Sequence, residues 1–138
     1  MISLTRDALD GVLNLSGVGA FCGHMHLRRI VHRDLSSGNI LITLEGQVPT
    51  FYVIDIGRAQ IDRGRAGNAR PRWGDLARIC YKLNWTDREA LVAAYQDNFP
   101  APRPRWWRLA LSSYDAKQRW KKRIKASLRR SKSTPVRS

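Results

Sequence analysis

Apolar residues recur at intervals of three and four positions along the first part of the chain. The set comprises Leu9, Val12, Leu13, Leu15, Val18, Phe21, Cys22 and Met25. This spacing places apolar side chains along one side of a helix. The pattern therefore predicts a buried amphipathic helix over residues 9–27, with Gly and Ala at points where a neighbouring element approaches closely.

Two apolar, β-branched segments follow a polar loop. Ile30 and Val31 predict a short extended piece that leads into this loop. Residues 40–44 (ILITL) and 51–54 (FYVI) predict two strands. Because the connection EGQVPT supplies a glycine and a proline, the two strands are expected to form a β-hairpin.

The next part of the chain returns to helical spacing. Residues 56–72 are polar, rich in Gly and Arg and without a period, which predicts a loop. Residues 73–83 have helical spacing, and Thr86 with Glu89 forms a capping-box pattern for a helix over 87–97. The sequence thus predicts a mainly α body that carries one small β-hairpin.

The composition is that of a folded domain. The 138 residues suffice for one domain with its own core, and a hydrophobic content of 43% argues against disorder. Cys22 and Cys80 lie far apart without CxxC spacing, so we expect buried reduced thiols. There is no apolar run of 18 residues, and the N-terminus carries acidic residues where a signal peptide would be basic. These features predict a cytoplasmic protein.

The net charge of +14 is unevenly distributed. Residues 1–100 contain 12 Lys and Arg against 10 Asp and Glu, whereas residues 101–138 contain 13 against one. The basic character therefore belongs to the C-terminal segment. We predict a folded body over 1–100 and a basic, Trp-containing extension over 101–138.

The extension has three interpretations. Trp120, Ile124 and Leu128 follow one another at four-residue steps among Lys and Arg, which is typical of a basic amphipathic helix at an anionic membrane surface. Contact with nucleic acid is a weaker alternative, and a solvated helix that completes the domain is the third. The residues predicted to bind a membrane or another anion are Trp106, Trp107, Trp120, Lys121, Lys122 and Arg123.

Three polar residues have the types and placement required for metal-assisted phosphoryl transfer. Asp34 and Asn39 lie five positions apart in the loop within residues 30–42, and Asp55 follows the second predicted strand. Asn39 precedes the first strand and Asp55 follows the second, so a hairpin would place the two residues next to each other. Carboxylate and carboxamide oxygens are ligands that suit Mg²⁺ bridging nucleotide phosphates. Asp34 could then accept the proton of an attacking hydroxyl.

The charge in this region supports the same chemistry. Arg33 and Arg58 lie close in sequence to the acidic positions. Phosphoryl transfer depends on positioning and on neutralising the charge of the transferred oxygens. We therefore assign both arginines a supporting role.

HRDLSSGN followed by VIDIG resembles the catalytic loop and the metal-binding D-F-G segment of the protein-kinase-like fold. The resemblance implies that Asp34 is the catalytic aspartate and that Asn39 and Asp55 hold the metal. It makes Asp75 the helix aspartate that braces the loop, and we expect His32 to pack within the loop. The chain departs from the pattern in having D-I-G in place of D-F-G and in lacking A-P-E.

The stretches VIDIGRAQI (within residues 51–61) and RWGDLARICYKL are similar to the lipopolysaccharide kinase family, which phosphorylates Kdo or heptose sugars of the inner core. The likeness covers roughly residues 9–97. It implies a transferase of lipopolysaccharide biosynthesis that uses ATP and Mg²⁺ and acts on a sugar hydroxyl of a glycolipid, peripheral to the inner face of the cytoplasmic membrane. Because only 29 residues precede IVHRD, the resemblance implies a kinase-like C-terminal lobe without the N-terminal lobe.

Two other functions stay open. One is a non-catalytic kinase remnant that acts as a binding module through its basic extension, and the other is a soluble small-molecule kinase of the aminoglycoside or choline type. The glycines of GVGAFCG, at positions 17, 19 and 23, do not form a phosphate loop and are expected at a helix contact. His24 and His26 are expected at the surface or at an interface.

Overall fold

The computed structural model describes residues 2–3, 12–63 and 69–133. Within these ranges the chain forms four α-helices and five short strands, which confirms the mainly α fold with a small β-hairpin. The elements are β1 (Ile2–Ser3), α1 (Val12–Leu27), β2 (Ile30–Val31), β3 (Ile40–Glu45), β4 (Val48–Val53), β5 (Gln60–Ile61), α2 (Ala69–Cys80), α3 (Trp85–Asn98) and α4 (Trp107–Lys132).

Helix α1 is the central helix of the body and packs against α3. It begins at Val12, and the predicted start at Leu9 lies outside the described residues. A Cβ added to Gly19 would collide with the backbone carbonyl of Leu91, and one added to Gly23 would lie 2.8 Å from Cβ of Asn98. The helix-contact interpretation of these two glycines is therefore confirmed, because only glycine lets the two backbones approach this closely.

The predicted hairpin is present, with Ile40 opposite Val53 at its open end. Its turn is tighter than predicted, because Pro49 belongs to β4 and lies opposite Leu44. Gly46 has a φ of 68°, a left-handed conformation that glycine adopts without strain. Strand β1 pairs with the other side of β3, so the described sheet has the order β1-β3-β4. Pro49 is tolerated because β4 lies at an edge of this sheet.

The prediction of a loop over residues 56–72 is wrong in part. A 3₁₀ turn covers Ile56–Arg58, and β5 pairs antiparallel with β2. Helix α2 begins at Ala69, four residues before its predicted start. Strand β5 has only two residues, so its sequence carries no period. Tertiary pairing with Ile30 and Val31 creates it.

The predicted capping box of Thr86 and Glu89 is also wrong. Helix α3 begins at Trp85 with Asn84 as its N-cap. The Asn84 side chain accepts a hydrogen bond from the backbone N–H of Asp87 at 2.8 Å and donates one to the Asp87 carboxylate at 2.9 Å. Asn is as good an N-cap residue as Ser or Thr, so the helix starts at this earlier cap. Glu89 instead pairs with Arg103 and Arg108.

The first turns of α4 belong to the core. Trp107 and Leu111 are buried, and the ring of Trp107 lies 6.0 Å from that of Trp73. Arg88 forms a 2.8 Å ion pair with Asp115, which anchors α4 to α3. The prediction that Trp107 binds a membrane or another anion is therefore wrong, because its side chain packs inside the domain.

The two cysteines occupy the core as expected. Cys22 and Cys80 are buried free thiols. Burial raises the pKa of Cys80 to about 12, so this thiol stays protonated at neutral pH. Both side chains act as small apolar groups in the packing between helices.

The Gly19→Ala substitution should destabilise the protein by about 1–3 kcal/mol, because the added methyl group overpacks the α1–α3 contact. The gain in helix propensity, up to ~1 kcal/mol, does not offset a collision with a fixed backbone carbonyl. Urea denaturation monitored by circular dichroism measures the difference. Gly57→Ala is the matched control, since a Cβ there meets nothing within 4 Å. Equal stability of the two variants would contradict this account of the contact.

Candidate active site

The carboxylate of Asp75 on α2 lies at the centre of a buried hydrogen-bond network. The side chain is completely buried. Its Oδ2 accepts from the backbone N–H of His32 at 2.8 Å, and its Oδ1 accepts from the backbone N–H of Arg33 at 2.8 Å. Arg78 Nη1 lies 3.8 Å from Oδ1. The helix thus holds the backbone of the HRD loop through a single side chain.

His26 is part of the same network. It is buried, its Nε2 lies 3.2 Å from Oδ2 of Asp75, and its Nδ1 lies 2.9 Å from the hydroxyl of Tyr95. Burial raises the pKa of Tyr95, which keeps this hydroxyl protonated and able to donate. The surface or interface interpretation of His26 is therefore wrong, whereas His24 is exposed. His26 follows Cys22 by four residues, a spacing that places it on the buried side of α1.

His32 connects the loop to the end of the hairpin. Its ring is buried, and Nε2 donates to the carbonyl of Ile54 at 2.9 Å. Nδ1 accepts from the backbone N–H of Asp34 at 3.3 Å. These two bonds fit the neutral tautomer with its hydrogen on Nε2. Both ring nitrogens are thus engaged in holding backbone, which suits a packing role for this residue.

The hydrogen bonds place Asp34, Asn39 and Asp55 at one end of the hairpin. Asn39 Nδ2 donates to the backbone carbonyl of Asp34 at 2.8 Å. The backbone N–H of Ile54 donates to the carbonyl of Asn39 at 2.9 Å, directly before Asp55. The loop and the end of β4 are therefore tied together by the residues that the sequence singled out.

The side-chain oxygens of these three residues are open to a ligand. The Asp34 and Asp55 carboxylates and Oδ1 of Asn39 make no hydrogen bond or ion pair with the other residues that the structure describes. Asp34 and Asn39 are half-buried, and Asp55 is exposed. Unpaired acceptors grouped in this way can bind a cation or accept a proton.

Two residues of the site have left-handed backbone. The φ angles of Arg33 and Asp55 are 67° and 58°. A non-glycine residue in this conformation costs roughly 1 kcal/mol, so the surrounding contacts must maintain it. The hydrogen bond to Asp75 does this at Arg33.

The donor set fits magnesium bound together with phosphates. Asp55 and Asn39 would hold the ion, which usually keeps water and phosphate ligands as well. Within the described ranges there is no cluster of three or more His, Cys, Asp or Glu that could form a closed metal site. Two oxygen ligands beside an open position therefore suit Mg²⁺ better than a structural metal.

The two predicted supporting arginines, Arg33 and Arg58, are close in sequence to Asp34 and Asp55. Arg33 and Arg58 are exposed, and together with Arg78 they line a cleft of about 390 Å³. Sequence reasoning missed Arg78. The sequence does contain a signal for Arg78: it lies three residues after Asp75 in a predicted helix, and residues at this spacing lie on the same face.

The sequence model of the lipopolysaccharide kinase (Kdo/WaaP) family matches residues 12–97. The chain belongs to this family. The match spans α1, the HRD loop, the hairpin, the D-I-G segment, α2 and α3, and so includes every element that forms the site. No curated protein matches the chain.

Helix α4 lies beyond the matched residues of this lipopolysaccharide kinase family member. From Arg119 to Ser133 every residue is exposed, including Trp120 at 64% and Leu128 at 58%. The predicted cations Lys121, Lys122 and Arg123 lie on this exposed stretch, and Trp106 is 39% exposed. Among the residues described, no helix is both long and apolar enough to cross a bilayer.

The Asp75→Asn substitution should destabilise the protein by roughly 3 kcal/mol, because the new NH₂ group would face a backbone N–H in a buried site. Urea denaturation measures the loss. Asp97→Asn, at an exposed position on α3, is the isosteric control and should change stability by less than ~0.5 kcal/mol. A similar small effect for Asp75→Asn would contradict the central role of this carboxylate.

Proposed function

We propose that this kinase family member transfers the γ-phosphoryl group of ATP to a sugar hydroxyl of a lipopolysaccharide core glycolipid. The observation that carries the proposal is the grouping of three unpaired oxygen side chains, Asp34, Asn39 and Asp55, at one end of the hairpin. Membership of the family supports kinase activity in general. The sugar acceptor and the role of each residue belong to the proposal.

Each residue has one task in this proposal. Asp34 accepts the proton of the acceptor hydroxyl and orients its oxygen toward the phosphorus. Asn39 and Asp55 would hold Mg²⁺, which would supply positive charge to neutralise the ATP phosphates. Asn39 also donates a hydrogen bond to the backbone carbonyl of Asp34. This one side chain therefore sets the distance between the proton acceptor, Asp34, and the residues that hold the metal. Arg58 adds positive charge beside Asp55.

The alternatives make different use of the same residues. A non-catalytic remnant would have no need for two unpaired carboxylates at one end of the hairpin, so their retention supports an enzyme. A soluble small-molecule kinase would have no need for the exposed basic helix. The basic stretch of α4 therefore supports an acceptor that is embedded in a membrane.

The Asp55→Ala substitution should reduce Mg·ATP-dependent phosphorylation of purified lipopolysaccharide core acceptor at least ~100-fold, because the metal loses its carboxylate ligand. Transfer of ³²P from labelled ATP measures activity, and Mg²⁺-dependent binding of an ATP analogue provides a readout that needs no turnover. Glu45→Ala, at the other end of the hairpin, is the control and should retain both. A wild-type chain that binds Mg·ATP no better than Asp55→Ala would overturn the proposal.

We also propose that α4 holds the protein at the anionic inner face of the cytoplasmic membrane. Nine Lys and Arg lie between residues 117 and 132, with no Asp or Glu among them. Trp120, Ile124 and Leu128 recur at four-residue steps along this exposed stretch. Apolar side chains that enter the interface, surrounded by cations that attract anionic headgroups, explain both features.

The triple variant Trp120→Ala, Ile124→Ala, Leu128→Ala should reduce pelleting with phosphatidylglycerol-containing vesicles about tenfold or more, since it removes the inserted apolar area. The exposed hairpin residues Leu44 and Val48, both changed to Ala, form the control. The substitutions leave the core residues Trp107 and Leu111 intact. Two results together would contradict this proposal: unchanged vesicle binding by the triple variant, and nucleic-acid binding by the wild type that is as tight as its vesicle binding. The positive charge of the helix alone would then explain binding, and the nucleic-acid interpretation would replace the membrane one.

A further inference from the structure

A cleft lies between helix α4 and the turn that joins α2 to α3. Its volume is about 420 Å³, which is within the range of sites that bind small molecules. We name it the α4 cleft. Its lining includes Tyr81 and Lys82 from the turn, Arg88 from α3, and Asp115 and Arg119 from α4. None of these residues belongs to the candidate active site, so the cleft is a separate feature of the surface.

The most buried part of the α4 cleft is rigid, and its charges cancel. Arg88 is 5% exposed and pairs with Asp115 at 2.8 Å. Its Nε also donates to the backbone carbonyls of Cys80 and Leu83, at 3.1 and 3.0 Å. The guanidinium group is therefore held in one position, and the negative charge of Asp115 is already matched.

The rim of the α4 cleft, formed by Lys82, Arg119 and Lys122, carries positive charge without an acidic partner. All three side chains are exposed, and none forms an ion pair with a residue that the structure describes. Cations grouped around one cleft repel one another unless an anion joins them. Ammonium and guanidinium groups both form strong hydrogen bonds with phosphate oxygens. The rim is therefore suited to a phosphate group.

The ring of Tyr81 holds the two lysines of the rim near the cleft. Nζ of Lys82 lies 5.9 Å from the centre of this ring, and Nζ of Lys122 lies 5.4 Å from it. The ring in turn packs edge-on against Tyr114, with 5.9 Å between the ring centres. Cation–π attraction to a packed ring restricts both ammonium groups. This preorganisation lowers the entropic cost of binding an anion.

An apolar surface continues from the α4 cleft along the helix. A smaller cleft of about 230 Å³ shares Arg119 and is otherwise lined by Ala116, Trp120 and Arg123. Residues at these spacings lie on one face of a helix. Trp120 is 64% exposed, so its indole ring offers apolar area beside the cationic rim. The two clefts together therefore match a molecule with an anionic group at one end and an apolar chain at the other.

We propose that the α4 cleft binds the phosphate group of a single anionic phospholipid, whose acyl chain lies along Ala116 and Trp120. The proposal deepens the attachment of α4 to a membrane, and it rests on that attachment for the source of the lipid. General attraction between a basic helix and an anionic surface requires no defined site. The α4 cleft adds one, and it includes Lys82, which lies outside α4.

The test uses the intact chain and a phospholipid that stays monomeric, so that no membrane surface contributes to binding. The probe is dihexanoyl phosphatidylglycerol below its critical micelle concentration, and amide chemical shifts in NMR titrations report which residues respond. The probe should shift Tyr81, Lys82 and Arg119 in a saturable manner. Dihexanoyl phosphatidylcholine should bind at least ~10-fold more weakly, because the rim repels its choline cation. Absence of saturable shifts, or equal binding of the two lipids, would overturn the proposal.

Two matched pairs of variants test the rim and the apolar surface. Lys82→Gln should weaken binding of the probe about tenfold, because it removes a charge-assisted hydrogen bond. Arg28→Gln, at an exposed position after α1, loses the same charge and should bind as the wild type does. Trp120→Ala should weaken binding about threefold or more, because it removes apolar contact with the acyl chain. Leu44→Ala, at an exposed position of the hairpin, is its control. Equal affinity within either pair would overturn the proposal.

Two competing ligands test the source of the phosphate group. Glycerol 3-phosphate carries the anion without acyl chains and should bind about tenfold more weakly than the probe. Equal binding would overturn the proposal, because the cleft would then be a site for soluble phosphates. Displacement of the probe by an equal concentration of a short DNA duplex would also overturn it, because nucleic-acid phosphates would then be the better ligand.

Vesicle pelleting separates this proposal from the attachment of α4 to a membrane. If the wild type pellets with phosphatidylglycerol-containing vesicles but does not bind the monomeric probe, the site is wrong and the membrane attachment stands. If it binds the probe but not the vesicles, the result counts against the membrane attachment and supports the site.

Discussion

The buried carboxylate of Asp75 is the interaction on which the rest of the structure depends. Its two oxygens bind the backbone of His32 and Arg33 and face the ring of His26, so that one side chain joins α2, the HRD loop and α1. Tyr95 extends the network to α3. A buried carboxylate requires several donors to offset the loss of hydration. The three helices must therefore keep their relative positions for the loop to keep its shape.

The loop transmits this constraint to the site. His32 bonds the carbonyl of Ile54, and Asn39 bonds the carbonyl of Asp34. Both side chains thus hold backbone rather than another side chain. The carboxylates of Asp34 and Asp55 are left unpaired among the described residues. This division between groups that hold the backbone and unpaired groups fits the proposed chemistry, which depends on positioning.

Helix α4 combines two physical roles along one continuous element. Its first turns pack Trp107 and Leu111 into the core and pair Asp115 with Arg88. In the remainder, from Arg119 to Ser133, every residue is exposed. A helix anchored at one end can present a charged, Trp-containing surface in a defined direction. An unanchored basic segment would be free to take many directions.

Local sequence determined the elements whose signals are local. The apolar period of α1, the β-branched strands of the hairpin and the grouping of Asp34, Asn39 and Asp55 were all readable, because each depends on nearby residues. Tertiary structure alone decided the pairing of β5 with β2, the burial of His26 and Trp107, and the cleft shared by Arg33, Arg58 and Arg78. These features depend on contacts between distant segments. The environment of these residues is set by burial and electrostatic pairing between segments that are distant in sequence, and not by the residues next to them in the chain.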